Sequence, residues 1–356
     1  MENETPGVST PDTSNFLNWV EIKNFKSIKD LRLDCKRVNI FIGKPNVGKS
    51  NILEGLGLLG MQSYDKLSDA SVRYKDLKQL FHNNDWRKSI IVGTEKHRFD
   101  LEKKAVGDGA DYIYSITTRS NGGLLEESVN VTSPLLADRY DLLRDGRVVK
   151  SHSNSKVQSS VKKYEFANVD TFVSLFSDTL SSPNGSNLFE VIDQSDELKN
   201  EFGKLFQQQG LDFVLSRDDQ SIELQRKSGF YVIQYPYFSI ADTFRRYMFY
   251  VTAIESNKNS VIIFEEPEVH SFPPYVKAMA QRIAYSEQNQ FFIATHSPYL
   301  LQTLIDELDE SELAVYITYY KDYQTQVRQL TAEELEEARD LSIDLFYNLS
   351  RYEPNA

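Results

Sequence analysis

The chain has 356 residues, enough to bury a sizeable core in one large domain or two fused lobes. Its 40 basic and 52 acidic residues leave a net charge of −12, which excludes a surface coated for non-specific DNA binding, although not a local basic groove. The single cysteine, Cys35, excludes an intramolecular disulfide and a zinc-thiolate cluster, and the five scattered histidines argue against a dedicated metal cage.

Residues 1–16 are rich in Ser, Thr, Pro and acid, and are expected to form a disordered leader ahead of a single composite domain over 17–356. The amino end lacks the charged-then-apolar pattern of a signal peptide. No apolar run reaches the roughly eighteen to twenty residues that cross a bilayer, so the chain reads as cytoplasmic, with no membrane partner. From Trp19 the text changes. WVEIKNF, LRLDC and VNIFIG are short apolar or alternating runs that predict successive strands, and they are followed by Gly43–Ser50 and an apolar stretch at helical spacing from Ile52 to Leu59.

Residues 62–160 mix charged segments with predicted strands at 89–92 and 112–117, punctuated by GDGAD and NGG turns, which suits an antiparallel side lobe. Helical patterns follow in VDTFVSLFSDTL and LFEVIDQSDELKNEFGKLFQQQ, separated by SSPNGSN and without the heptads of an extended coiled-coil arm. Strand-like text returns at 212–236, so the side lobe and helical insertion together occupy about 62–236. Residues 237–320 alternate: a helix from near Ala241, the strand VIIF, a helix around 276–285, the strand FFIAT, a helix from Pro298 and the strand LAVYITYY. Such alternation predicts an α/β fold with a parallel sheet and crossover helices.

Gly43, Lys44, Pro45, Asn46, Val47, Gly48, Lys49 and Ser50 satisfy the pattern G-x-x-x-x-G-K-[ST], in the strand–loop–helix context that the pattern requires. Glycines let the backbone curl so that its N–H groups and the helix N-terminus face phosphate oxygens. Lys49 is expected to reach the β- and γ-phosphates of ATP, Ser50 to ligate Mg²⁺ through its hydroxyl, and Asn51 to lie beside them. The alternative, a glycine turn that happens to precede Lys-Ser, does not account for this context.

The run Ser260–Phe264 ends in Glu265-Glu266-Pro267-Glu268, and acids at the carboxyl end of a buried strand sit where open α/β folds place ligands. Two adjacent carboxylates there need a cation or a proton to hold. Glu265 is assigned to the Mg²⁺ shell, and Glu266 to orienting or deprotonating the attacking water. Thirty residues beyond Glu266, a further strand ends in His296, placed to donate to the γ-phosphate or to position the water. The bland alternatives are a solvated acidic loop and a loop histidine.

GKPNVGKS, VIIFEEPEVH and FFIATHSPYLL, with the opening VEIKNFKSI, together resemble the ABC-type ATPases of the branch that includes the structural-maintenance, RecF-like and overcoming-lysogenization-defect proteins. The resemblance covers the first sixty residues and 230–320. It implies a P-loop NTPase fold of the ABC ATPase type, with a mixed sheet, an antiparallel β side lobe and a helical insertion. It also implies a homodimer closed around two nucleotides, with His270 near the neighbouring subunit and a serine-glycine helix start facing the partner's phosphate loop. Here that start reads YFSIADTFRR and lacks the glycine, leaving Ser239 and Thr243 to present hydroxyls. The first acid is Glu265 where the family usually has aspartate. Gln79 is the candidate for the family's Mg²⁺-sensing glutamine.

No nuclease cluster follows residue 320, so any cutting activity belongs to a separate effector or nuclease protein, and DNA is a further candidate partner. The resemblance points to an ATP-switched ATPase in prokaryotic anti-phage defence or DNA maintenance. The alternatives are a non-hydrolysing, nucleotide-stabilised scaffold for DNA or protein, and the energy subunit of a transporter.

Overall fold

The computed structural model describes residues 11–60, 67, 72–106, 111–120, 137–152, 159–169, 171–341 and 343–354. β1 (Trp19–Phe25) and β2 (Ile28–Asp34) form a hairpin, and β3 (Val38–Ile42) leads through the 43–48 loop into α1 (Lys49–Gly57). β4 (Ile90–Gly93), β5 (His97–Val106), β6 (Asp111–Ser120), β7 (Ala137–Leu142) and β8 (Val148–His152) continue an antiparallel sheet ordered β2-β1-β4-β5-β6-β7-β8.

β9 (Val161–Tyr164) precedes α2 (Leu188–Gln194) and α3 (Asp196–Gln207), and a three-stranded antiparallel sheet follows: β10 (Asp212–Ser216), β11 (Ser221–Ser228) and β12 (Tyr231–Pro236). The rest alternates: α4 (Asp242–Ser256), β13 (Ser260–Glu265), α5 (Pro273–Tyr285), β14 (Asn289–Ala294), α6 (Pro298–Glu307), β15 (Leu313–Lys321), β16 (Gln324–Gln329), α7 (Ala332–Asp340) and α8 (Leu349–Tyr352).

The central sheet is ordered β16-β15-β3-β14-β13-β9, parallel except for β16 at one edge. Its inner strands are apolar on both faces, as a sheet covered on both sides requires. Ile262, Phe264, Phe291, Ile293, Val38, Ile40, Val315 and Ile317 join one core, which is packed by α4, α5 and α6. The intervening Val261, Ile263, Phe292, Ala294, Phe41, Ala314 and Tyr316 join a second core with Ile52, Leu53 and Leu56 of α1 and the antiparallel lobe. Period-two alternation thus divides one set of strands between two cores. The expected α/β class is observed: a mixed sheet with crossover helices, an antiparallel side lobe and a helical insertion.

Three local expectations are corrected. The helix expected over 169–180 is absent: Val173 N–H donates to Ser186 O and Leu175 N–H to Glu190 Oε2, while Val173, Leu175 and Phe176 face solvent, so no apolar stripe exists to pay for helix formation. The helix expected from Leu188 onward is two helices, broken where the Ser195 hydroxyl caps Leu198 N–H. Residues 12–16 of the expected disordered leader are tied down, since Asn15 exchanges hydrogen bonds with Asn259 and Lys96 reaches Phe16 O. Leader residues 1–10 lie outside the described residues, as do the NGG turn and all of GDGAD except Asp111. Among the described residues no helix is long and apolar enough to cross a membrane, and the longest, α4, has 15 residues.

Candidate functional site

The register of the central sheet brings the motifs together. Glu265 lies opposite Ala294, and Ala294 opposite Phe41, so β13, β14 and β3 end at the same edge and release Glu266, His296 and the 43–50 loop side by side. Gly43 and Gly48 have φ of 152° and 100°, a region that glycine enters at no steric cost. A Cβ on Gly43 would overlap the Thr318 carbonyl, and one on Gly48 the Thr325 hydroxyl. Gly48 caps α1 with no side-chain hydrogen bond, so no side chain of the cap residue covers the first N–H groups of the helix.

Lys49 is buried, and its ammonium donates to Gly43 O at 2.9 Å and Lys44 O at 3.0 Å. Burial lowers its pKa, against the opposing pull of Glu266 and Glu265. For Glu265, burial alone would raise the carboxyl. Lys163, a hydrogen bond with the Ser50 hydroxyl, and Arg73 outweigh it and hold the group below the usual carboxylate range. Lys163 Nζ is 3.4 Å from Glu265 Oε2 and Arg73 Nη2 3.3 Å from Oε1.

Glu266 takes a positive φ of 46°, and its N–H donates to Ala294 O at 2.8 Å. Its Oε1 stands 3.6 Å from His296 Nε2. Burial and the Lys49 charge keep the His296 pKa below the ordinary imidazole value, opposed by Glu266. Glu268 fixes the histidine backbone: its Oε1 accepts from His296 N–H and from the Thr295 hydroxyl, both at 2.7 Å. Burial raises the Glu268 carboxyl, and its Oε2 is buried with no hydrogen-bond partner.

Loop residues 44–50 and Asn51 line a cleft of about 900 Å³ together with Arg73, Glu266 and His296. Asn51 Nδ2 donates to Ser27 Oγ at 2.6 Å, and Lys44 pairs with Glu353 at 2.8 Å. Gln79 does not line the cleft, and Ser239 and Thr243, expected to face a partner's nucleotide, bond within their own chain. The Gln79 side-chain carbonyl accepts from Lys75 N–H at 2.9 Å and closes a capping box with Asp76, so it is occupied away from the cleft. Ser239 Oγ donates to Pro236 O, and Thr243 Oγ1 to His270 O at 2.6 Å, within the same chain. His270 Nδ1 lies 3.0 Å from Asp242 Oδ2.

Sequence reasoning missed Lys163, Arg73 and the pair beneath them. Glu54 of α1 is wholly buried, ion-paired with Lys26 and, at 2.7 Å, with Arg73. A lone acid inside the apolar run ILEGLG was a usable signal, because a buried charge requires a partner. Lys163 sits in the four-residue β9, whose sequence VKKY carries no readable alternation.

The donor set suits a small hard cation shared with a phosphate ligand: a hydroxyl and a carboxylate in hydrogen-bonding contact, at a glycine cradle that any Cβ would obstruct. Among the described residues no group of three or more His, Cys, Asp or Glu is placed to hold a metal by itself.

The sequence model of a family described as "AAA domain, putative AbiEii toxin, Type IV TA system" matches residues 38–302. No curated protein sequence matches the chain. Similar solved structures include an SmcHead bound to the C-winged helix domain of ScpA (15% identity, 90% of this chain and 99% of that one, TM-score 0.49). Others are the SMC head domain from Thermotoga maritima (10%, 88% and 99%, TM-score 0.40) and the Smc head domain with an extended coiled coil bound to the C-terminal domain of ScpA, derived from Pyrococcus furiosus (14%, 92% and 99%, TM-score 0.48).

Proposed function

The chain belongs to the family described as "AAA domain, putative AbiEii toxin, Type IV TA system", an ATPase-type domain, and from its cleft we infer that it binds ATP with Mg²⁺, hydrolyses it and uses the cycle to open and close a homodimer. The observation that carries this reading is the meeting of Lys49, Ser50, Glu266 and His296 from three adjacent strand ends around one cleft.

In this reading Lys49 leaves the Gly43 and Lys44 carbonyls for the β- and γ-phosphate oxygens, and the loop N–H groups and the start of α1 hold the rest of the chain of phosphates. Ser50 and Glu265 would hold Mg²⁺, which when bound would supply Lewis-acid polarisation of the phosphoryl oxygens. Glu266 orients or deprotonates the attacking water. His296, kept neutral by burial and by Lys49, donates a hydrogen bond toward the γ-phosphate.

Closure requires that ATP bind the dimer more tightly than the open chain, since equal affinity shifts no population. Ser239, Thr243 and the start of α4 are the elements proposed to meet the partner's nucleotide, with Thr243 exchanging its bond to His270 O. The partner that reads the switch is proposed to be a separate effector or nuclease protein, with DNA as a second candidate. The toxin–antitoxin wording of the family description supports a defence setting over DNA maintenance; the branch with the overcoming-lysogenization-defect proteins is proposed from the motifs alone.

The absence of a glycine at the α4 start, with Thr243 occupied within its own chain, favours a second reading: a scaffold that ATP stabilises without turnover. Glu266→Gln separates the two. The ATPase reading expects ATP binding to persist, turnover to fall at least a hundredfold and a closed dimer to accumulate in sedimentation velocity. Unchanged sedimentation and no turnover in either form would instead support the scaffold.

A further inference from the structure

The wall of the cleft nearest β15 and β16 has no part in the phosphate chemistry above. β15 pairs with β3 such that Tyr316 faces Phe41 and Ile317 faces Ile42, so Thr318, Tyr319 and Tyr320 run on past the end of β3, alongside the phosphate loop. The hairpin turns at Asp322 and Tyr323, both at positive φ (52° and 58°), as a tight two-residue connection requires.

Both of its strands are fastened to the loop. Gly43 packs directly on the Thr318 carbonyl. Thr325 Oγ1 donates to Val47 O at 2.8 Å and lies 2.6 Å from Ser27 Oγ, and Thr325 N–H donates to Ser27 O at 2.8 Å. A ring carried by this hairpin is therefore held in fixed register with the loop.

Strand alternation puts Tyr320 on the same face as Tyr316, which belongs to the core shared with α1, the helix whose first turn closes the loop. Tyr320 is 52% exposed and lines the cleft. Its neighbour Tyr319 commits its hydroxyl to Gln326 at 3.0 Å. Among the described residues no Phe or Trp lines the cleft, and these two tyrosines are its phenyl-type rings.

A nucleoside triphosphate is a linear ligand. With its terminal phosphate toward Glu266 and His296, its base leaves the loop elsewhere, and an exposed ring held against the loop is a surface on which a base can stack. We propose that Tyr320 is the platform for the base of the bound nucleotide, so that the site selects a nucleoside triphosphate over a bare polyphosphate. The proposal rests on the ATP-binding reading above and deepens it. Stacking uses the π-face that every base has, so Tyr320 selects for a base without choosing among bases.

The test is equilibrium binding of Mg·ATP and of Mg·tripolyphosphate to the wild-type chain, Tyr320→Ala and Tyr320→Phe. Wild type is expected to prefer ATP. Tyr320→Ala is expected to lose roughly tenfold or more in ATP affinity while binding tripolyphosphate as before, and Tyr320→Phe, which keeps the ring, to recover most of the loss. Undiminished ATP binding in Tyr320→Ala, or equal losses for both ligands, would overturn the platform alone. A wild-type chain that binds neither ligand would overturn the ATP-binding reading, and the platform with it.

Discussion

Lys163 Nζ stands 3.4 Å from Glu265 Oε2, a buried ammonium supplied to the acidic strand end by the edge strand β9. The pairing follows from parallel register, in which Phe264 faces Tyr164 and Ile263 faces Lys163. It gives the Glu265 carboxylate an internal counter-charge before any metal arrives.

Lys163→Met removes the foremost influence that lowers the Glu265 pKa. A carboxyl depressed in the folded state contributes stability that is present above its unfolded pKa and lost as pH falls through the folded value. The gap in stability between wild type and Lys163→Met is therefore expected to be full at neutral pH and to close as pH falls below the ordinary carboxylate range. Urea unfolding at several pH values measures it, and a gap independent of pH would count against the pairing.

His296 is held below the ordinary imidazole pKa of about 6.5 by burial and by Lys49. The free protein should thus keep it neutral through the neutral range, and the acid limb of kcat/KM for ATP turnover should fall below about pH 6.5. Bound triphosphate adds negative charge nearby, which favours the imidazolium, so the corresponding limb of kcat should lie at higher pH. Profiles in wild type and His296→Ala test this: the limb should vanish in the variant, and its persistence there would assign it to another group.

Glu54 separates two cations by burial. Lys26 is nearly enclosed with it, whereas the Arg73 side chain is 67% exposed. Lys26→Met is expected to cost about 3 kcal/mol, the low end for breaking a buried pair because Arg73 remains. Arg73→Met is expected to cost ~1 kcal/mol or less. Chemical denaturation that ranks the two the other way would show that exposure does not set the energetics here.

The legible part of the site was the part carried by contiguous text. Gly43–Ser50, Glu265-Glu266 and His296 each follow an apolar strand, and strand ends of one parallel sheet meet at one edge, so chain order alone predicted their neighbourhood. Glu54 was signalled by its place in the apolar run ILEGLG, but its partners Lys26 and Arg73, like Lys163, were not legible, because each depends on a contact between segments whose local patterns are weak. At Gln79 two readings meet on one residue: a glutamine three residues after Asp76 is also the signature of a capping box, and its side chain makes those local hydrogen bonds. The segment 169–180 has helical periodicity, yet its amides bond Ser186 and Glu190, a tertiary arrangement that a propensity reading does not contain.

The central claim is that the curled loop at 43–50 grips triphosphate through Lys49. Calorimetric titration of Mg·ATP into wild type and Lys49→Ala tests it most directly. The account predicts saturable binding by wild type, and a loss of affinity of about a hundredfold or more in the variant. Equal affinity in the two proteins would contradict it.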